Sequence, residues 1–274
     1  MTTSHATILR RAITAGLGTL AGICALGATA ANAAGQTFQN EFATLSLSAS
    51  EPGSDGSVRG ALTIDLEPGW KTYWLDPGPS GIPPQIDFSA TSGVADTKLF
   101  APMPARFGEE LARANGYKHD LALPFTIVAK DGETITGPIV AKIFLGVCEE
   151  ICIPVQTTLT ATQESDTGLV ETAFATLPEP IDDSRVTARL EDGVLVLDVS
   201  GTGNAGDRTA LTDAFVLGPA GWYFGEPKPP RYENGITTFR VPVDERPKTG
   251  GLPALTLLFA DHEKGLSASV EPQP

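Results

Sequence analysis

Two cysteines, Cys148 and Cys152, are the residues of this sequence best suited to covalent chemistry, because only three residues separate them. Cys24, the third cysteine, lies in a stretch that we predict to be a removable leader. Neighbouring thiols support thiol–disulfide exchange, in which a thiolate attacks a disulfide sulfur and forms a mixed disulfide. A bridge between them would close a very short loop and contribute only about 2 kcal/mol to stability by chain entropy. So small a contribution favours a reversible redox couple over a purely structural bridge.

The cysteines lie between two apolar, β-branched runs, residues 139–147 and 153–160. Two such runs joined by a short loop predict a β-hairpin, with the cysteines facing each other across its tip. The loop contains Glu149 and Glu150, whereas reactive thiolates usually have a cation or a helix N-terminus nearby. We therefore expect a free thiol that reacts slowly until a partner docks. The alternative interpretation is that both glutamates are ordinary solvated loop charges.

Residues 1–33 have the pattern of a secretory signal. Arg10 and Arg11 form a charged start, residues 12–26 are apolar and alanine-rich, and residues 31–33 provide a small-x-small cleavage pattern. The alternative is an uncleaved membrane anchor. No later segment approaches the ~20 apolar residues that span a bilayer. We therefore expect an exported chain without stable membrane insertion, in a compartment where disulfides persist.

The balance of charge is strongly acidic. The chain has 19 basic and 33 acidic side chains and a formal net charge of −14. The leader contains two arginines and no acid, so its removal takes the charge from −14 to −16. Phosphate backbones and anionic lipids would repel such a surface, which argues against nucleic-acid and membrane-surface partners.

The rest of the sequence has the spacing of short strands separated by turns. Residues 58–66 alternate clearly, with Leu62 and Ile64 on one face. Further predicted strands cover residues 41–50, 70–74, 85–88, 120–129 and 134–145, then 186–190, 194–199, 214–217, 222–224, 236–243, 254–260 and 266–270. This pattern predicts an all-β fold of β-sandwiches. We expect a redox domain over residues 34–180 and a second, smaller β-sandwich over residues 181–274, which has no cysteine and would scaffold or dock.

Four segments are not typical of strands. Residues 76–84 contain too much proline and glycine for a regular element. Residues 100–116 contain two prolines, one expected helical turn and an Asn-Gly terminator, which together suggest a functional lid. Residues 166–177 predict a short helix, and residues 178–180 predict a linker.

Several motifs occur together between residues 42 and 160. They are Gly69–Trp74, Pro77-Gly78, Gly81–Pro84, Gly116-Tyr117, Leu121–Pro124 and the run Cys148-x-x-x-Cys152-Ile153-Pro154. In combination they resemble the N-terminal periplasmic domain of the protein-disulfide reductase DsbD, and more closely the corresponding region of its relative ScsB. The second half is similar to the extra immunoglobulin-like module of ScsB-type proteins.

The resemblance implies two immunoglobulin-like β-sandwich modules after the signal peptide, located in a bacterial periplasm. It implies a relay that takes electrons from a membrane-embedded donor of the DsbD or CcdA type. The acceptors would be periplasmic thioredoxin-fold proteins, including partners in cytochrome c maturation or copper tolerance. By position, Cys152 is implied to form mixed disulfides and Cys148 to resolve them. The family also has a cap loop whose aromatic side chain shields the disulfide; Phe107, within residues 102–116, is its counterpart here, and Tyr73 is implied to line the site.

The sequence ends at Pro274, so the membrane helices and thioredoxin domain of DsbD are expected on a separate donor protein. The expected activity is protein-disulfide reductase-type thiol exchange that depends on this donor, with no cofactor and no metal. A Cu(I)-binding protein or a non-catalytic adaptor is the alternative, because Cys-x-x-x-Cys is also the ligand spacing of Sco-type copper chaperones and thiolates suit Cu(I). Ile153 stands where those chaperones have proline. Met103 and His119 are further candidate ligands, although such residues more often pack or lie on the surface.

Overall fold

The computed structural model describes residues 36–109, 113–163, 167–204, 206–207, 209–249 and 254–271. The predicted leader lies outside the described residues. Within the described ranges, no helix has the length and apolar character needed to cross a bilayer. The described residues belong to a single compact unit.

The first sandwich is built from two sheets and one helix. Its strands are β1 (Thr37–Gln39), β2 (Ala43–Ala49), β3 (Val58–Leu66), β4 (Lys71–Tyr73), β5 (Gln85–Asp87), β6 (Val94–Leu99), β7 (Ala105–Phe107), β8 (Ala114–Tyr117), β9 (Leu121–Ala129), β10 (Ile139–Cys148) and β11 (Cys152–Ala161). One sheet has the order β1-β2-β3-β9-β6, and the other has the order β11-β10-β4-β8-β7, with β5 also paired to β10. Helix α1 (Thr167–Ala175) packs beside β2, β3 and β9.

The second sandwich follows the helix and also has two sheets. Its strands are β12 (Glu179–Pro180), β13 (Val186–Glu191), β14 (Val194–Ser200), β15 (Asp213–Leu217), β16 (Tyr223–Phe224), β17 (Lys228–Glu233), β18 (Ile236–Glu245), β19 (Leu255–Ala260) and β20 (Leu266–Val270). One sheet has the order β12-β20-β19-β15, and the other has the order β13-β14-β18-β16, with β17 paired to β18. A short 3-10 turn at Asp183–Arg185 precedes β13.

Alternation along the strands explains how the first core forms. In β9, Leu123, Phe125 and Ile127 are fully buried, whereas Val128 is 42% exposed. Successive strand residues point to opposite faces, so one face of this strand packs into the sandwich and the other contacts water. The expected all-β fold is therefore confirmed, and the strongest alternating segments are the ones that form its core.

Weakly alternating strands were not predicted. β6 has exposed side chains at its four central positions, and β17 contains two prolines. Both are edge elements, where solvent accepts polar side chains and proline. The prediction of a linker at residues 178–180 was wrong, because Glu179 and Pro180 pair in parallel with Leu266 and Ser267 of β20.

The two sandwiches share part of one hydrophobic core. Phe215 and Leu258 of the second sandwich belong to the core cluster of the first. The Trp74 ring contacts Phe215 edge-on, with ring centroids 5.7 Å apart. This continuity means that the second sandwich is packed against the first rather than tethered to it by a flexible chain.

Replacing Ile127 with alanine tests the assigned core face. Ile127 is fully buried, so Ile127→Ala should lower the free energy of unfolding by about 2–5 kcal/mol through lost burial and a residual cavity. Val128→Ala, one residue along the same strand, should cost less than about 1 kcal/mol. Urea unfolding followed by tryptophan fluorescence measures both. Equal losses at the two positions would contradict the assigned faces of β9.

Candidate redox site

The predicted hairpin is present, and its register brings the two cysteines together. β10 and β11 pair without interruption, from the pair Ile139/Ala161 to the pair Cys148/Cys152. The two cysteines are therefore directly opposite each other. The two sulfurs form a disulfide, with the Cα atoms 4.2 Å apart. Only residues 149–151 connect the strands, so the bridge lies at the tip of the hairpin.

The disulfide lies on the outer face of its sheet. Leu145 and Val147 of β10 point into the main core, so alternation turns Gly146 and Cys148 to the opposite face. There Cys148 joins a small separate cluster with Tyr73, Phe107 and Ala114. This cluster gives the disulfide its own apolar cover, independent of the sandwich core.

The two sulfur-bearing residues differ in exposure. Cys148 is only 4% exposed, whereas Cys152 is classed as exposed. Attack on a disulfide requires access to the sulfur along the bond axis. The arrangement therefore offers Cys152 to an incoming protein and keeps Cys148 covered.

Tyr73 reaches the exposed sulfur through its hydroxyl group. The oxygen lies 2.9 Å from Cys152 Sγ, and the hydroxyl must donate because a disulfide sulfur has no proton. Burial raises the pKa of Tyr73 above its ordinary value of 10.0. The hydroxyl therefore stays protonated at neutral pH and remains a donor to sulfur.

The position of Tyr73 depends on strand β4, which lies between the hairpin and the cap. Thr72 pairs with Val147 on one side and with Tyr117 on the other, and its Oγ1 donates to Gly146 O at 2.8 Å. The Tyr73 ring then lies beside two glycines. A Cβ at Gly81 would approach the ring to 2.6 Å, and a Cβ at Gly146 would approach it to 3.2 Å. Only glycine leaves room for the ring at Gly81.

The segment predicted as an irregular lid is a short hairpin in its described part. β7 and β8 pair over three positions, from the pair Ala105/Gly116 to the pair Phe107/Ala114. Residues 110–112 lie outside the described ranges. The expected Asn-Gly helix terminator is wrong, because Gly116 is a strand residue. A Cβ at Gly116 would lie 2.1 Å from Thr72 O, so glycine here permits close pairing with β4. We call residues 105–109 and 113–117 the cap hairpin.

Phe107 on the cap hairpin packs beside the site. It is 7% exposed and belongs to the cluster of Cys148. Its ring centroid lies 6.2 Å from that of Tyr73. The structure thus brings together all four residues that the sequence singled out: Cys148, Cys152, Tyr73 and Phe107.

Comparison with known proteins agrees with this geometry. Residues 37–164 match the family described as "Thiol:disulfide interchange protein DsbD, N-terminal". The matched segment contains all eleven strands of the first sandwich. The resemblance inferred from the sequence motifs is thereby confirmed over this segment.

A solved structure extends the similarity to most of the chain. The N-terminal periplasmic domain of ScsB from Proteus mirabilis superposes with a TM-score of 0.69 and 22% identity, covering 88% of this chain and 98% of that one. At this identity the match establishes the shared fold of both sandwiches. No protein with a curated description matches the chain.

Two lysines that the sequence did not indicate lie near the disulfide. The Nζ atoms of Lys71 and Lys118 lie 5.8 and 5.6 Å from the centroid of the Phe107 ring, within the range of cation–π attraction. Lys71 Nζ also donates to Glu149 O at 2.7 Å. The site therefore contains basic as well as acidic groups. The expectation of a slow thiol, which considered only the two glutamates, stays a prediction.

Neither candidate copper ligand is placed beside the cysteines by a described contact. The Met103 side chain lies against Gly265 of the second sandwich, and the His119 ring is exposed and close to Asp120 O. Among the described residues, no group of three or more His, Cys, Asp or Glu side chains is arranged to hold a metal ion.

Removal of the Tyr73 hydroxyl should slow the chemistry of Cys152. In a Cys148→Ala background, Tyr73→Phe removes the donor to Cys152 Sγ but keeps the ring. Hydrogen bonds to charged groups contribute about 1.5–3 kcal/mol, so loss of this one should reduce the thiolate population and the alkylation rate at pH 7 roughly tenfold. Iodoacetamide labelling followed by mass spectrometry measures the rate.

Tyr117→Phe is the matched control for this experiment. Tyr117 is another buried tyrosine, but its hydroxyl donates to Pro102 O at 2.7 Å and not to sulfur. Its loss should leave the alkylation rate of Cys152 unchanged. If both variants slow alkylation equally, the effect comes from general loosening and not from the contact with sulfur.

Proposed function

We propose that this protein is a periplasmic thiol–disulfide relay that reduces other proteins through Cys152 and Cys148. The observation that carries the proposal is the disulfide at the hairpin tip, in which one cysteine is exposed and the other is buried. A bridge that served only stability would gain little from an exposed sulfur with an aimed hydroxyl donor, since so short a loop contributes only about 2 kcal/mol.

The reaction proceeds in two exchanges. In the reduced protein, the Cys152 thiolate attacks one sulfur of a partner disulfide, forms a mixed disulfide and releases a partner thiolate. The Cys148 thiolate then attacks Cys152 Sγ, which expels the second partner thiolate. Two electrons have passed to the partner, and the relay is left with the Cys148–Cys152 disulfide. Protons from solvent complete the two partner thiols.

Family membership of the first sandwich supports the choice of partners. We infer that a membrane-embedded donor of the DsbD or CcdA type reduces the disulfide again, and that the acceptors are periplasmic thioredoxin-fold proteins. Acceptors in cytochrome c maturation or copper tolerance are the specific candidates. The periplasmic location is supported by the ScsB structure, whose described domain is periplasmic. We propose the same two domains as expected from the sequence, but with their boundary between α1 and β12, because β12 (Glu179–Pro180) pairs with β20 of the second sandwich.

A trapping experiment tests the proposal. With Cys148→Ala, the mixed disulfide on Cys152 cannot be resolved and should accumulate with one or a few proteins in a periplasmic extract. The captured proteins, identified by mass spectrometry after non-reducing electrophoresis, should have thioredoxin folds with a cysteine pair. Exposure of Cys152 is the physical reason to expect capture through this residue.

Cys152→Ala is the matched control, because it leaves only the buried Cys148. It should capture at least about tenfold less protein, since a covered sulfur cannot align with a partner disulfide. Equal capture through both cysteines would contradict the assigned roles. Failure of the Cys148→Ala variant to capture any thioredoxin-fold protein would contradict the relay itself.

A further inference from the structure

The cap hairpin makes direct contact with the second sandwich on the side away from the disulfide. Successive residues of a strand point to opposite faces. On β7, Phe107 turns toward Cys148, whereas the neighbouring Arg106 turns toward β15. An anchor on Arg106 therefore fixes the position of Phe107 one residue away.

The strand that holds Phe107 has little pairing of its own. β7 is three residues long and forms the edge of its sheet, with β8 as its one strand neighbour among the described residues. Short edge strands are easily displaced, because few backbone hydrogen bonds hold them. Contacts from outside the sheet therefore matter for its position.

Arg106 supplies the strongest of these contacts. Its Nε and Nη2 donate to the two Asp213 carboxylate oxygens at 2.9 and 3.3 Å, and Nη2 also donates to Ala214 O at 2.8 Å. The guanidinium carbon lies 4.3 Å from the centroid of the Phe215 ring. The Arg106 side chain is 10% exposed. Removing either side chain of such a largely desolvated, bidentate ion pair is strongly destabilising.

The remaining donor of Arg106 links the anchor to the other side of the site. Its Nη1 donates to Asn115 Oδ1 at 3.0 Å, and Asn115 Nδ2 donates in turn to Asp76 O at 3.0 Å. The loop that starts at Asp76 continues to Gly81, which lies against the Tyr73 ring. One guanidinium thus connects the second sandwich with both aromatic residues of the site.

A second, weaker anchor holds the cap hairpin at Arg113, just before β8. Arg113 donates to both carboxylate oxygens of Glu226, at 2.8 and 2.7 Å, and Nη1 of the same residue donates to Gly108 O at 3.0 Å. The two side chains are 38% and 44% exposed. Exposed pairs contribute little and are screened by salt, so Arg106 is the main anchor.

From these contacts we infer that the second sandwich is a working part of the redox site, and that Arg106 is a positioning residue that holds Phe107 over the disulfide through Asp213. The inference rests on the proposed redox function and gives the second sandwich a role in it. While the anchor holds, the cap covers the Cys148 side of the bridge, so a small thiol or oxidant reaches the bridge only through the exposed Cys152. Displacement of the cap opens the Cys148 side as well.

The rate of reduction by a small dithiol measures the shielding directly. Dithiothreitol attacks one sulfur of the Cys148–Cys152 bridge, and its second thiol closes a ring, so two electrons and two protons pass to the protein. Arg106→Ala and Asp213→Asn, made in the full chain, should each speed this reduction about tenfold, because a weakened anchor raises the population with the cap displaced. Asp213→Asn leaves the sequence of the redox sandwich untouched and carries the test if Arg106→Ala fails to fold.

Arg189→Ala is the matched control. Arg189 is also an ion-paired arginine, but it contacts Glu191 and Asp198 within the second sandwich. Its loss should leave the reduction rate unchanged. A similar acceleration in this control, or wild-type rates in folded Arg106→Ala and Asp213→Asn proteins, would overturn the inference.

A double-variant cycle separates positioning from a general loss of rigidity. Phe107→Ala alone should speed reduction, and adding Arg106→Ala should change the rate little further, because Arg106 acts mainly through Phe107 and reaches Tyr73 only indirectly. Independent, multiplying effects would overturn this route. These rates need no protein partner, so they are distinct from the trapping result. Absence of captured thioredoxin-fold proteins would contradict the proposed function. Unchanged dithiothreitol rates would contradict only the role of the second sandwich.

Discussion

The register of β10 and β11 places Cys148 opposite Cys152, and the chemistry and cover of the site both follow from it. A shift of one residue would turn every side chain of the pair to the other face. Cys148 would then point into the main core, and Leu145 and Val147 would point outward. The buried face of the hairpin thus sets the register, and the register sets the side on which the disulfide lies.

The same alternation organises the other elements of the site. Tyr73 faces the disulfide while Trp74 joins the main core; Phe107 faces the disulfide while Arg106 faces the second sandwich. In each of these segments one side chain faces the disulfide and its neighbour anchors the segment elsewhere. The short β4, paired on both sides, joins the hairpin to the cap and transmits the position of one to the other.

Much of the fold was predictable because apolar alternation is strong where strands line a core. The hairpin, β3, β9 and the second series of strands have that pattern, and the spacing of the cysteines identified the redox pair. The cap hairpin was not predictable in detail, because its pairing relies on the absence of a side chain at Gly116 and not on an apolar pattern. The lysines beside Phe107 and the anchor of Arg106 join residues that are far apart in sequence. The contact of Arg106 with Asp213 spans 107 positions, which a reading of local segments does not detect.

The unequal exposure of the two cysteines has a consequence for the order in which other proteins bind. If Cys152 is the accessible end of the bridge, an electron donor and an electron acceptor must both engage that one atom. Donor and acceptor then cannot be bound at the same time. The donor engages the bridge when it is oxidised and the acceptor engages Cys152 when the pair is reduced, so the oxidation state of the pair decides which protein acts next.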